Sequence, residues 1–114
     1  MKVTPIVSHN DFNKGKIYTV IGVEGDTFRI IDELEKPFLN DQNKYIVVDD
    51  ELPDFWVSEL GEEGEYAYYP AEWLNIDYFF EDYFDRKSDV INIFRSVLKE
   101  KYGVVLKIPY DSVD

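Results

Sequence analysis

Tyr66-Ala67-Tyr68-Tyr69-Pro70-Ala71-Glu72-Trp73-Leu74-Asn75-Ile76 is the stretch that decides how this 114-residue chain is read. Tyr66–Tyr69 is aromatic-rich and suits a strand. Pro70 fixes φ, and Pro70–Trp73 fits one turn of 3₁₀ helix. Leu74-Asn75-Ile76 then resumes extended structure. A strand, a rigid turn and a strand in so short a span predict the closing segment of a small β-barrel. The stretch also lies inside a run from Asp49 to Asp85 that holds thirteen Asp/Glu and no Lys or Arg.

Upstream, residues 1–7 alternate weakly and suit an edge strand. His9–Gly15 carries turn chemistry around Phe12. Lys16–Val23 is β-branched and aromatic, the composition of a strand, and Thr27–Asp32 is its return. Glu24-Gly25-Asp26 joins the two as a hairpin, with Gly25 free to take positive φ. The polar segment Glu33–Asn43, interrupted by Pro37, reads as a long loop. Lys44–Val48 is a third strand, stopped by Asp49-Asp50-Glu51 and Pro53. Phe55-Trp56-Val57 is a short strand or a loop anchor, and Gly61-Glu62-Glu63-Gly64 is a turn.

Downstream, residues 77–85 read as a short irregular helix. Ser88 is a suitable N-cap, and Asp89 favours the positive end of a helix dipole. Val90, Ile91, Phe94, Val97, Leu98 and Tyr102 follow the helical period, with Gly103 a natural terminator. A helix over about 89–102 follows, its apolar face assigned to the core. Val104–Ile108 reads as a strand ended by Pro109.

This order of elements resembles an SH3-like barrel. Such domains carry, near their end, a glycine, an extended pair, a proline, a 3₁₀ turn with an aromatic three residues on, and a last strand. Gly64, Tyr68-Tyr69, Pro70, Trp73 and Leu74–Ile76 match that sequence of features. Gly15-Lys16-Ile17-Tyr18 is similar to the opening strand of small SH3-like proteins of bacteria and their phages. The resemblance covers roughly residues 12–77, and the 33–43 loop and residues 78–114 depart from it. It implies a mainly β (α+β) chain. Residues 1–77 would form the SH3-like barrel, and 78–114 a C-terminal helical extension and final strand packed on it, as a single compact domain. It also implies a second possibility for function: a peptide-recognition module using Tyr69, Pro70 and Trp73, with Glu33 and Glu35 as loose candidates to meet a basic ligand residue.

The charge map bears most on function. The net charge is -12, and residues 1–48 carry six Lys/Arg against seven Asp/Glu. Residues 86–114 carry six against four, so the imbalance sits in 49–85. Direct binding to nucleic acid or an anionic membrane is disfavoured, because phosphate binding needs cations. With no cysteine there is no disulfide, thiolate metal site or thiol nucleophile, which fits a cytoplasmic location. No window has the length of a membrane span. His9 is the only histidine, and its polar segment reads as plain surface. No nucleophile elbow, phosphate cradle, calcium loop or zinc ligand set is present, so the chain is expected to be non-catalytic and to use no cofactor or metal.

Residues 49–85 also hold eleven of the chain's aromatics, several of them expected at the surface. Acids that steer a basic partner and aromatics that anchor it predict a protein-binding face. Its residues are Asp49, Asp50, Glu51, Asp54, Trp56, Glu62, Glu63, Glu65, Tyr69, Pro70 and Trp73. The expectation is an acidic inhibitor of a basic protein, such as an immunity protein against a nuclease toxin or a phage-type inhibitor. A carboxylate-dependent enzyme is a third, weaker reading, since paired carboxylates are available.

Overall fold

A computed structural model of the chain describes residues 1–108. Its packing divides into two compact units, Met1–Tyr69 and the chain from Pro70 onward. The first unit is β-rich, and the chain as a whole carries a seven-stranded antiparallel sheet and a C-terminal helix.

The hairpin read from the sequence is present as β2 (Tyr18–Glu24) and β3 (Thr27–Ile31), joined through Gly25 at φ +55°. β1 (Lys2–Pro5) lies antiparallel to β2, with Val3 opposite Tyr18. β4 (Pro37–Asp41) pairs with β3 along its whole length, from Thr27–Asp41 to Ile31–Pro37. This corrects the expected 33–43 loop. A strand at the sheet margin tolerates Pro at its first position and polar residues along it, so its composition resembles a loop. A 3₁₀ turn, Gln42–Lys44, leads into β5 (Tyr45–Asp49), which pairs with β1. β6 (Trp56–Leu60) and β7 (Tyr66–Pro70) form a second hairpin, and β7 returns to β2.

The main path runs β4-β3-β2-β1-β5, so the sheet is open at β4 and β5. β2 is its hub. One edge of β2 is occupied by β3, and the other is shared by β1 at Tyr18–Thr19 and β7 at Val23–Glu24. A register shift between Val20 and Gly22 lets the strand bend between these partners. Gly22 is required there: a Cβ would lie 1.9 Å from the Tyr69 ring. Val3, Phe12, Tyr18, Val20, Phe28, Ile30 and Tyr45 form the core of this unit, with Trp56 half-buried against it.

The second unit is helical. α1 (Ala71–Leu74) is one turn, entered through Pro70 and closed by Asn75 in the αR region. The expected strand at Leu74–Ile76 is therefore absent: Asn75 N–H bonds to Ala71 C=O at 2.9 Å and prolongs the turn. α2 (Phe79–Phe84) confirms the short helix, and its first residue follows Tyr78 at φ +59°. α3 (Ser88–Val97) runs on without a break into a π-helical turn, Leu98–Tyr102, that ends at Gly103 with φ +66°. Ser88 is inside the helix rather than capping it; Lys87 is the N-cap and no side chain closes that end.

Trp73 is the hub of the second core. It is 1% exposed, and its ring lies 4.9 Å from Phe94, 5.8 Å from Phe80 and Tyr102, and 6.0 Å from Phe79. The expected last strand at 104–108 is not formed. Arg95 Nη2 donates instead to Ile108 C=O at 2.8 Å, holding that segment beside α3 without a ladder. Pro109, read as the end of that strand, lies outside the described residues. Among the described residues no helix is long and apolar enough to cross a membrane.

Candidate functional site

The acids predicted to face a partner fall into two groups within the first unit. Asp49 ends β5, and Asp50, Glu51 and Asp54 follow it in the loop to β6. Asp49, Glu51 and Asp54, with Met1, Leu52 and Pro53, line an open depression of about 400 Å³. Asp49 Oδ1 accepts from Glu51 N–H at 3.0 Å, which turns the chain sharply and crowds the carboxylates together. Glu62, Glu63 and Glu65 sit in the β6–β7 turn, closed by Gly61 N–H to Glu65 C=O at 2.7 Å. With Glu59 on β6, all eight carboxylates between 49 and 65 are exposed. None forms an ion pair among the described residues.

The aromatic half of the predicted face is different. Tyr69 is 3% exposed, and Pro70 and Trp73 are fully buried. Phe79, Phe80 and Tyr83 are also buried, while Phe55, Trp56, Tyr68 and Phe84 are half-buried. Only Tyr66 and Tyr78 of that set stand out into solvent. Each unit buries large side chains of its own, and these absorb most of the aromatic density. The peptide groove implied by Tyr69, Pro70 and Trp73 has no surface to act through.

Tyr69 has another task. Its hydroxyl accepts from Arg29 Nε at 2.7 Å and donates to Glu24 Oε2. The buried Arg29 also donates to Pro37 C=O at 2.7 Å and to Glu24 Oε2 at 2.8 Å. One guanidinium thus ties β2, β3, β4 and β7 with charge-assisted bonds. Burial pushes the Tyr69 phenol well above its ordinary value. The sequence reading missed this network. Its one local signal was Arg29, a lone cation in an apolar run.

Glu33, a loose candidate for meeting a basic ligand, is already engaged. Lys16 Nζ binds its carboxylate, and Tyr18 hydroxyl donates to it at 3.1 Å. The Lys16 hydrogen bond holds the Glu33 carboxyl below the usual range. Asp32 is buried and raised by desolvation, although its Oδ1 accepts from Leu34 N–H and Lys36 N–H. Burial also pushes Tyr45 up to about 12.

His9 is not plain surface. Its ring is half-buried, 5.4 Å from Phe12 and 5.5 Å from Tyr45, and both ring nitrogens are shielded without a hydrogen-bond partner. With neither nitrogen reaching solvent or an acceptor, it is not placed as a general base. Among the described residues, no cluster of His, Cys, Asp or Glu is arranged to hold a metal ion.

Comparison with protein-family models, with curated proteins and with solved structures found no match.

Proposed function

We propose that this chain is a non-catalytic binding protein whose acidic surface occludes a basic surface on another protein. The observation that supports the reading is the set of eight exposed carboxylates at 49–65, with no ion pair among the described residues and no Lys or Arg within the segment. Like charges held together without counter-charges cost stability, and a cationic partner recovers that cost on binding. Carboxylates set along turns stand in for a phosphate backbone, which suits an inhibitor or immunity protein acting in the cytoplasm on a nucleic-acid-binding protein or nuclease. Aromatic anchoring within the first unit falls to exposed Tyr66 and half-buried Trp56 rather than to buried Tyr69.

Kinship with SH3-like barrels belongs to the same proposal. A bent β2 shared by β1, β3 and β7 supports it.

The test is affinity capture from the native cell, followed by titration of the captured protein in low and high salt. A basic protein whose affinity falls at least about tenfold between 50 and 500 mM salt is the expected result, because exposed charges are screened over that range. A partner bound equally well at both concentrations, or one without a basic surface, overturns the reading.

A further inference from the structure

β5 is an outer strand of the open sheet, and its middle carries neither charge nor proline to protect the edge. Ile46, Val47 and Val48 are three consecutive β-branched residues, 54%, 42% and 49% exposed. Neither Lys nor Pro interrupts Tyr45–Asp49. Its inner side is bonded to β1: Ile6 N–H donates to Lys44 C=O at 3.0 Å, and Ile46 lies opposite Thr4. Antiparallel bonding alternates along a strand. It therefore turns the N–H and C=O of Val47, and the C=O of Tyr45, away from β1. The Tyr45 N–H is already satisfied by Gln42 C=O. A register shift against β1 makes Val48 an extra residue, so the regular edge is short and ends where Asp49 begins.

The ends of this edge differ in charge. Lys44 precedes it. Asp49, Asp50, Glu51 and Asp54 follow it, and Lys2, opposite Asp49 across the ladder, forms no ion pair with it. Backbone groups at the middle of the edge and unneutralised carboxylates at one end specify an occupant by complementarity. We infer that β5 takes up an extended segment of a partner protein as an added antiparallel strand, with basic residues of that segment immediately preceding its apolar run. The order follows from direction. An antiparallel strand begins beside the C-terminal end of β5, where the four acids are, and runs towards Lys44. Because only a short stretch of backbone is available, the carboxylates must supply much of the affinity. This inference rests on the acidic-binder reading and adds to it the mode and direction of engagement.

The test uses the full chain and two fluorescent peptides: one with two arginines followed by alternating valine and threonine, the other with the same residues in reverse order. Amide hydrogen exchange and anisotropy are measured with each, at low salt. The arginine-first peptide is expected to bind at least tenfold more tightly and to slow exchange at Val47 at least tenfold, leaving the Ile46 amide, already in the ladder, unchanged. Val47→Pro removes the outward N–H and is expected to abolish binding. Should that variant fail to fold, Val47 exchange in the unaltered chain decides the matter. Equal binding of the two peptides, or an unprotected Val47 amide, overturns strand addition. So does a chain that sediments as a dimer with Val47 protected in the absence of peptide, since a second copy then occupies the edge. If a basic protein captured from cells binds salt-sensitively while Val47 stays unprotected, the mode is wrong and the acidic-binder reading stands. If nothing basic binds at all, both fall.

Discussion

At the scale of single residues, the sharpest constraints converge on Tyr69. Gly22→Ala places a methyl group inside the Tyr69 ring, and the ring is fixed by Arg29 and Glu24. Overpacking of this kind costs about 1–3 kcal/mol or more, so the urea midpoint should fall sharply with the slope unchanged. Tyr69→Phe keeps the ring but removes the hydroxyl that accepts from buried Arg29 Nε and donates to Glu24. A loss of about 1–3 kcal/mol is expected, read in the same titration. Trp73→Ala should cost about 3–5 kcal/mol by opening the centre of the helical core, since the indole meets four aromatic rings. Binding of a basic partner per folded molecule should not change, because Trp73 offers it no surface. A binding defect in folded Trp73→Ala would return the residue to the interface. The sequence favours a structural role for Pro70 and Trp73 over a groove, and their burial agrees with that. The tie from Tyr69 to Arg29 and Glu24 had no sequence signal beyond the lone cation.

At the scale of elements, the loop from β3 to β4 predicts a pH signature. Glu33 is held low by the Lys16 hydrogen bond, and Glu72 in α1 is held low by Lys101. A carboxyl whose folded value lies below its unfolded one adds stability that is present above the unfolded value, 4.5 here, and is lost as pH falls through the folded value. Asp32 runs the other way. Burial raises it above 3.8, so it favours folding in acid and loses that contribution as pH rises through its folded value. Urea midpoints measured from pH 6 to 3 should fall in wild type, and a Glu33→Gln, Glu72→Gln double variant should flatten the decline below pH 4.5. An unchanged decline would assign it to other carboxylates.

The elements legible in the sequence were those with a strong local signal. β-Branched and aromatic composition about a glycine turn marked β2 and β3, and the 3.6-residue stripe marked α3 through to Gly103. β4 was hidden because Pro37, Asn40 and Asp41 are loop-forming residues, yet one partner strand suffices to order them. Val104–Ile108 failed for the opposite reason: β-prone side chains make no strand without a neighbour to bond. The π-helical turn at Leu98–Tyr102 adds a residue to one turn without altering the apolar pattern, so nothing in the sequence announced it. Within the candidate site, the carboxylates were legible because charge without counter-charge needs no fold to be seen. The open edge of β5 was not, since it depends on which strands pair.

At the scale of the whole molecule, charge separates function from solvation. Asp49→Asn, Asp50→Asn, Glu51→Gln and Asp54→Asn together change the net charge from -12 to -8. Relief of self-repulsion should leave the folded chain equally stable or raise its urea midpoint slightly, by less than about 1 kcal/mol. The same variant should lose binding to a basic partner by about tenfold or more at low salt. Stability gained while affinity is lost marks carboxylates kept for a partner; unchanged affinity would reduce them to solvated surface. The shared edge of β2 has a further consequence, for synthesis. β1 and β3 are within reach of β2 early, but the Val23–Glu24 half of its edge waits for Ala67 and Tyr68. On the ribosome that half-edge stands unpaired while residues 49–65 emerge. The segment exposed beside it in that interval carries eight carboxylates and no amine side chain, so nascent chains repel one another through the period in which they could pair edge to edge.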